Sequence, residues 1–252
     1  MFDNTCRFLA EHFSADFASW LLGEAIELTE LKPSKLSLNP IRTDALILLQ
    51  SKDSILHIEF QLQPKDEIPF RMLDYRTRGH RKYPDKPMRQ VVIYLQETDS
   101  DKVHVNHFSL ERTHHEFEVI RLWEQPEEVF LRYPGLIPFA ALSNTEDPEA
   151  TLRQVAQRVE QIPDPEAQSN ISAASAILAA LRLDNDIIFS LLRRDIMQES
   201  TVYQAILAEG DARRQRKTVV RLLRRGLALD AIAEDLDLSI EEVKKIQLSE
   251  SL

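Results

Sequence analysis

The chain has 252 residues, 43% of them apolar, enough to bury a core in one large domain or in one medium domain plus a smaller module. Its net charge of −10 argues against a broadly basic nucleic-acid coat protein, but not against an enzyme that needs only a local basic track. A single cysteine, Cys6, excludes an internal disulfide and a cysteine zinc site, and no run of 18 apolar residues could span a membrane. The first residues lack a basic stretch followed by an apolar one, so no signal peptide is expected and a soluble cytoplasmic protein is.

Residues 5–22 are predicted to form an amphipathic helix. Phe8, Leu9, Phe13, Phe17, Trp20 and Leu21 recur at helical spacing, and Gly23 follows as a stop. Next come two apolar runs, 44–50 (DALILLQ) and 55–63 (ILHIEFQLQ), separated by Ser51-Lys52-Asp53-Ser54. Turn residues between two such runs predict a β-hairpin.

The hairpin holds carboxylates where a strand-like run would not ordinarily carry them. Asp44 opens the first strand, and Glu59 lies between Ile58 and Phe60 in the second. Burying a carboxylate costs several kcal/mol unless it is paired or binds a metal. With Ser51 opposite Ser54, residue 46 faces Glu59 and Asp44 faces Gln61. Alternation puts Glu59 and Gln61 on one face. Asp44 would then lie roughly 5–8 Å from both, close enough for one divalent ion to bridge Asp44 and Glu59. A three-residue loop would instead send Asp44 to the other face. Two carboxylates and water suit Mg²⁺, or Mn²⁺ in its place, with the backbone carbonyl of Phe60 as a further ligand. The competing reading pairs Asp44 and Glu59 with core arginines such as Arg42 or Arg71 in a non-catalytic fold.

Residues 68–83 are predicted helical, bounded by Pro64 and Pro69 before and Pro84 after. This segment and the residues up to 89 hold Arg71, Arg76, Arg78, Arg81, Lys82, Lys86 and Arg89. Arg71, Asp74, Tyr75 and Arg78 share one face, and Arg71 and Tyr75 are the candidates for phosphate contacts beside the metal. Arg78, Arg81 and Lys82 extend a DNA track; a solvated helix face is the plain alternative. Strands are expected at 89–95, 103–110 and 116–123. His104, His107, His114 and His115 are expected at the surface or in loops, because no cysteine or carboxylate arrangement supports zinc there.

PEEVFLRYPGLIPFAAL, from 126 to 142, reads as a short helix and then a proline-broken loop. Beyond about residue 149 the pattern is helical, with IPDPEAQSN (162–170) as an expected linker. DARRQRKTVVRLLRR (211–225) is strongly basic, and Gly226 ends its helix. Residues 228–246 look like a helix-turn-helix, with Asp237 where Gly is usual and Ser239 with Glu242 as a capping box. The second helix opens Ile240-Glu241-Glu242, which repels phosphate. A weak DNA module and a self-associating helical hairpin both fit.

The pattern Asp44…Glu59-Phe60-Gln61, a hairpin followed by a helix, resembles the PD-(D/E)XK nuclease superfamily. More narrowly, IRTDALILL…LHIEFQLQ…IPFRMLDYRTRGHRKYP…RQVVIYL, within about residues 1–145, resembles the Rpn family of recombination-promoting nucleases and transposases. The resemblance implies an α/β fold, a restriction-endonuclease-like core with a mixed central sheet flanked by helices, followed by an all-helical C-terminal region. It implies a metal-dependent DNA endonuclease in which Asp44 and Glu59 hold the ion. Gln61 stands where the superfamily usually has Lys, and would orient water without bringing a charge. A helix-1 glutamate often completes such sites, and Glu24 and Glu27 are the candidates. The expected domains are 1–148, nuclease-like, and 149–252, a helical tail with its helix-turn-helix-like end at 211–248. DNA is the expected partner, with homo-oligomerisation through the tail. The competing functions are a nuclease-fold protein without useful activity that binds DNA or protein partners, and a purely structural α/β protein.

Overall fold

The computed structural model describes residues 2–30 and 46–249. The chain is a mixed α/β protein that divides into two compact units between Val202 and Tyr203.

The first unit opens with two helices, α1 (Phe2–His12) and α2 (Ser14–Leu22). The single helix expected over 5–22 is broken at Phe13, whose φ of −117° and ψ of 40° are not helical. Ser14 explains the new start in tertiary terms: its hydroxyl donates to the Leu28 carbonyl at 2.9 Å and accepts from the Leu28 amide at 3.2 Å. Gly23 ends α2 at φ 79°, the left-handed conformation that glycine adopts without steric cost.

A five-stranded sheet follows. Its strands lie in the order β1 (Thr29–Glu30), β2 (Leu46–Gln50), β3 (Ile55–Gln61), β4 (Met88–Tyr94) and β7 (Glu118–Arg121). β1, β2 and β3 are antiparallel, whereas β3, β4 and β7 run parallel. The β2–β3 register pairs Leu46 with Glu59 and Gln50 with Ile55, as the two-residue turn predicts. Ser51 builds that turn: its amide donates to the Ser54 carbonyl at 2.9 Å, and its hydroxyl accepts from the amides of Asp53 and Ser54. Helix α3 (Ile68–Lys82) connects β3 to β4, as parallel neighbours require, and lies at the expected bounds.

Between β4 and β7 the chain departs from expectation. The strand predicted at 103–110 is a 3₁₀ turn, Asp101–His104, followed by β5 (His107–Leu110). β5 pairs with β6 (Thr113–Glu116) as a separate two-stranded ribbon. β7 contributes four residues to the main sheet where eight were expected at 116–123.

After α4 (Glu127–Leu131), the segment expected as a loop is a 3₁₀ helix, Pro134–Leu142, with Gly135 through Leu142 all buried. Phe139 in it stacks on Phe60 of β3 and meets Phe17 of α2 edge-on. Helices α5 (Pro148–Glu160) and α6 (Pro165–Ala179) pack against the same segment. Both helices belong to the first unit, which runs to Val202. The expected linker at 162–170 is also corrected: Asp164 caps α6 by accepting from the Ala167 amide at 3.1 Å, so residues 165–170 are its first turns. α7 (Asn185–Leu191) and α8 (Arg194–Gln198) complete the helical part before α9.

The second unit contains all but the first two residues of α9 (Thr201–Arg224), then α10 (Leu229–Asp235) and α11 (Ile240–Ser249). Val219, Ile232, Ala233 and Val243 form its buried core, with Leu236, Leu238 and Ile246 packed around them. Gly226 ends α9 at φ 83°, and Asp237 takes φ 52° in the turn. Ser239 and Glu242 form the expected capping box, with the Ser239 amide donating to Glu242 Oε2 at 2.8 Å and the Glu242 amide donating to Ser239 Oγ at 3.2 Å. Replacing Ser239 by Ala is expected to destabilise this unit by about 1 kcal/mol, read as an earlier loss of helical circular dichroism in urea. An unchanged transition would show that α11 does not depend on its cap.

Candidate functional site

Strand β3 is central, paired on both sides, and all seven of its residues are buried. Alternation sends Leu56, Ile58 and Phe60 toward the α1–α2 side, where Phe60 meets Phe17 and Phe139. The opposite face carries Ile55, His57, Glu59 and Gln61 toward α3. Three polar side chains thus lie under one helix.

Glu59 is fully buried. Its Oε1 accepts from Gln61 Nε2 at 2.8 Å and from the Arg71 guanidinium on α3. Among the described residues its Oε2 has no hydrogen-bond partner, and neither has His57 Nε2, which lies 3.8 Å from it. The alternative pairing of Glu59 with Arg71 is therefore realised in the structure. Tyr75, one turn further along α3, packs edge-on against the His57 ring at 5.2 Å. Burial above all, and the Glu59 charge next, push the Tyr75 phenol up to about 12. The Tyr94 phenol on β4 also rises to about 12, chiefly through burial.

The network continues into β4. Gln90 sits opposite His57 in the parallel register and is buried. Its Nε2 lies 2.8 Å from the Met72 carbonyl oxygen and 2.8 Å from His57 Nδ1. Its Oε1 lies 2.9 Å from Nε2 of His115 on β6. Burial, followed by the nearby Arg76 charge, lowers the His115 pKa. An open groove borders this end of the network, lined by Gln90, His104, Asn106, Phe117, Val119 and Arg121.

The predicted site residues divide clearly. Glu59 and Gln61 are brought together, and Arg71 joins them. Asp44 lies outside the described residues, as does Arg42. The Phe60 side chain is on the far face, which leaves its backbone carbonyl as its possible contribution. Glu24 and Glu27 are exposed and follow α2, which ends at Leu22, so neither is a helix residue. Tyr75 is buried against His57 and does not present a surface for phosphate. Arg78 pairs with Asp74 at 2.8 Å, while Arg81 and Lys82 are exposed near the end of α3. His104, His107 and His114 are exposed, in line with the expected surface histidines, but His115 is half-buried and bonded to Gln90.

Sequence reasoning missed His57 and Gln90, and it placed His115 among the surface histidines and not beside Gln90. His57 precedes Glu59 by two residues, so the alternation linking Glu59 to Gln61 could have found it. Gln90 is likewise a polar residue entering an apolar strand. Among the described residues, no group of three or more His, Cys, Asp or Glu side chains is placed to hold a metal ion. No helix among them is long and apolar enough to cross a membrane. Compared with models of known families, with curated proteins and with solved structures, the chain gives no match.

Proposed function

We propose that the chain is a metal-dependent DNA endonuclease with a PD-(D/E)XK-type core, similar to the Rpn nucleases. The observation that carries this reading is Glu59. It is a fully buried carboxylate on the central strand, beside Gln61, with one oxygen that no hydrogen bond from the described residues satisfies. An orphaned buried carboxylate oxygen fits a hard cation. The order of hairpin, Glu-x-Gln strand, helix and parallel strand supports the same reading. So does the β2–β3 register, on which the expected pairing of Asp44 with Gln61 rests.

Asp44 and Glu59 would hold Mg²⁺ or Mn²⁺, with water and the Phe60 carbonyl filling further positions. Such an ion, when bound, polarises a phosphoryl oxygen and lowers the pKa of an attacking water. Gln61 donates its Nε2–H to Glu59, which leaves its amide oxygen to accept a hydrogen bond from water and orient it. Arg71 holds Glu59 in place, and a quarter of its side chain is exposed for a phosphate oxygen. Arg81 and Lys82, with Arg78, extend the track along α3. In the C-terminal unit, exposed Arg216, Lys217, Arg221, Arg224 and Arg225 suit DNA, and exposed Ile240 and Leu248 suit self-association into a homo-oligomer.

One observation favours the second reading, a nuclease-fold protein without useful activity that binds DNA or protein partners. Arg71 and Gln61 already neutralise and satisfy one Glu59 oxygen without an ion. Supercoiled plasmid incubated with Mg²⁺ or Mn²⁺ separates the two. The wild-type chain is expected to cut, and Asp44→Ala and Glu59→Ala to lose on the order of 10²-fold or more in rate. Cutting that persists in both variants would overturn the assigned site. Absence of wild-type cutting, with DNA still retained in a gel shift, would establish the second reading.

A further inference from the structure

His57 and Glu59 face each other through atoms that have no hydrogen-bond partner among the described residues, and the proton on His57 decides what that contact is. Imidazole Nε2 can be either an N–H donor or a lone pair that binds metal. The hydrogen bonds around Gln90 choose between them.

A backbone carbonyl oxygen only accepts. The end of the Gln90 amide that lies 2.8 Å from the Met72 carbonyl is therefore the NH₂ end. Its second N–H is aimed at His57 Nδ1, also at 2.8 Å, so Nδ1 is an acceptor. The amide oxygen then takes the Nε2–H of His115 at 2.9 Å. Each donor in this chain meets an acceptor. With Nδ1 an acceptor, the ring proton of His57 resides on Nε2, directed at Glu59 Oε2 across 3.8 Å. The other tautomer would set N–H against N–H at Gln90 and a lone pair against the carboxylate. Both conflicts would fall on groups that are buried, where unpaired polar atoms cost most. A metal-ligating histidine has the reverse arrangement, its second nitrogen donating to a carboxylate or carbonyl.

We infer that Gln90 is a positioning residue for the Glu59 site: anchored by the Met72 carbonyl, it holds His57 as the Nε2–H tautomer. His57 thus presents a donor to Glu59 Oε2 and not a metal-binding lone pair. The site is left with oxygen ligands, which favours Mg²⁺ over nitrogen-seeking ions such as Zn²⁺. The tautomer stands on geometry alone, and its consequence for ion choice rests on the proposed metal role of Glu59.

Long-range ¹H–¹⁵N NMR of the 252-residue wild-type chain, at about pH 8, above the ordinary pKa of imidazole, reads the tautomer without any variant. His57→Gln assigns the signals by their loss. His57 Nε2 is expected in the protonated range and Nδ1 in the unprotonated range, unchanged when Mg²⁺ is added. A protonated Nδ1, or a fast mixture of tautomers, would overturn the inference. Gln90→Glu places an acceptor at Nδ1 and is expected to move the proton there. Calorimetric titration of that variant with Zn²⁺ is expected to show a gain in affinity of tenfold or more, abolished by adding His57→Gln. A gain that survives His57→Gln would overturn the ion-choice consequence. Absence of Mg²⁺ binding by wild type, with the Nε2–H tautomer intact, would overturn the metal reading of Glu59 and leave the role of Gln90 standing.

Discussion

Arg71→Ala is expected to destabilise the first unit by about 3–5 kcal/mol, one of the two largest single-residue effects foreseen for this chain. Glu59 is fully buried, and Arg71 is its charged hydrogen-bond partner among the described residues. Removing the guanidinium would leave a buried carboxylate whose remaining hydrogen bond, among the described residues, is from the Gln61 amide. The cost is that of an uncompensated buried charge, much more than the value of an exposed ion pair. Urea unfolding of the full chain should show a lower midpoint for the first unit with an unchanged slope. Adding Glu59→Gln to Arg71→Ala removes the stranded charge, so the double variant is expected to recover part of the loss. A loss below about 1 kcal/mol would mean that Glu59 draws its compensation elsewhere.

Phe139→Ala is expected to cost a similar amount, about 3–5 kcal/mol. Phe139 is fully buried and occupies the centre of an aromatic cluster. Its ring stacks on Phe60 at 5.7 Å with 5° between planes, meets Phe17 edge-on at 5.9 Å, and lies 6.3 Å from Phe130. Truncation removes these contacts and opens a cavity between α2, β3 and α4. Phe70→Ala is the control, because Phe70 is 55% exposed and should cost little by the same measurement. Equal effects from the two would contradict the placement of Phe139. Phe60 lies between Glu59 and Gln61 in β3, so the cavity would also loosen the strand that carries the candidate site.

The parts of the fold legible in the sequence share a local cause. The Ser51–Ser54 turn needs only its own hydroxyl and amides, and it sets the register of β2 on β3. Proline boundaries and helical spacing delimit α3, and Ser239 with Glu242 delimits the start of α11. The features that were misread depend on distant partners. Phe13 is compatible with a helix until Ser14 bonds to Leu28. Pro134–Leu142 reads as a loop until the aromatic cluster and α5 and α6 enclose it. Prolines at 163 and 165 suggested a linker, but Pro165 is in the first turn of a helix, where a missing amide hydrogen costs nothing.

The candidate site divides along the same line. By itself the sequence determined that Glu59 and Gln61 share a face of a buried strand, because alternation and a two-residue turn require no information beyond the segment. Tertiary structure decided what surrounds them. Arg71 arrives from the following helix, Gln90 from the parallel neighbour strand, and His115 from β6, which no predicted strand covered at that residue. Local geometry acts over a few residues and is written in spacing. The pairing of a buried carboxylate is settled by whichever donors packing brings within about 3 Å, and that is a property of the folded chain.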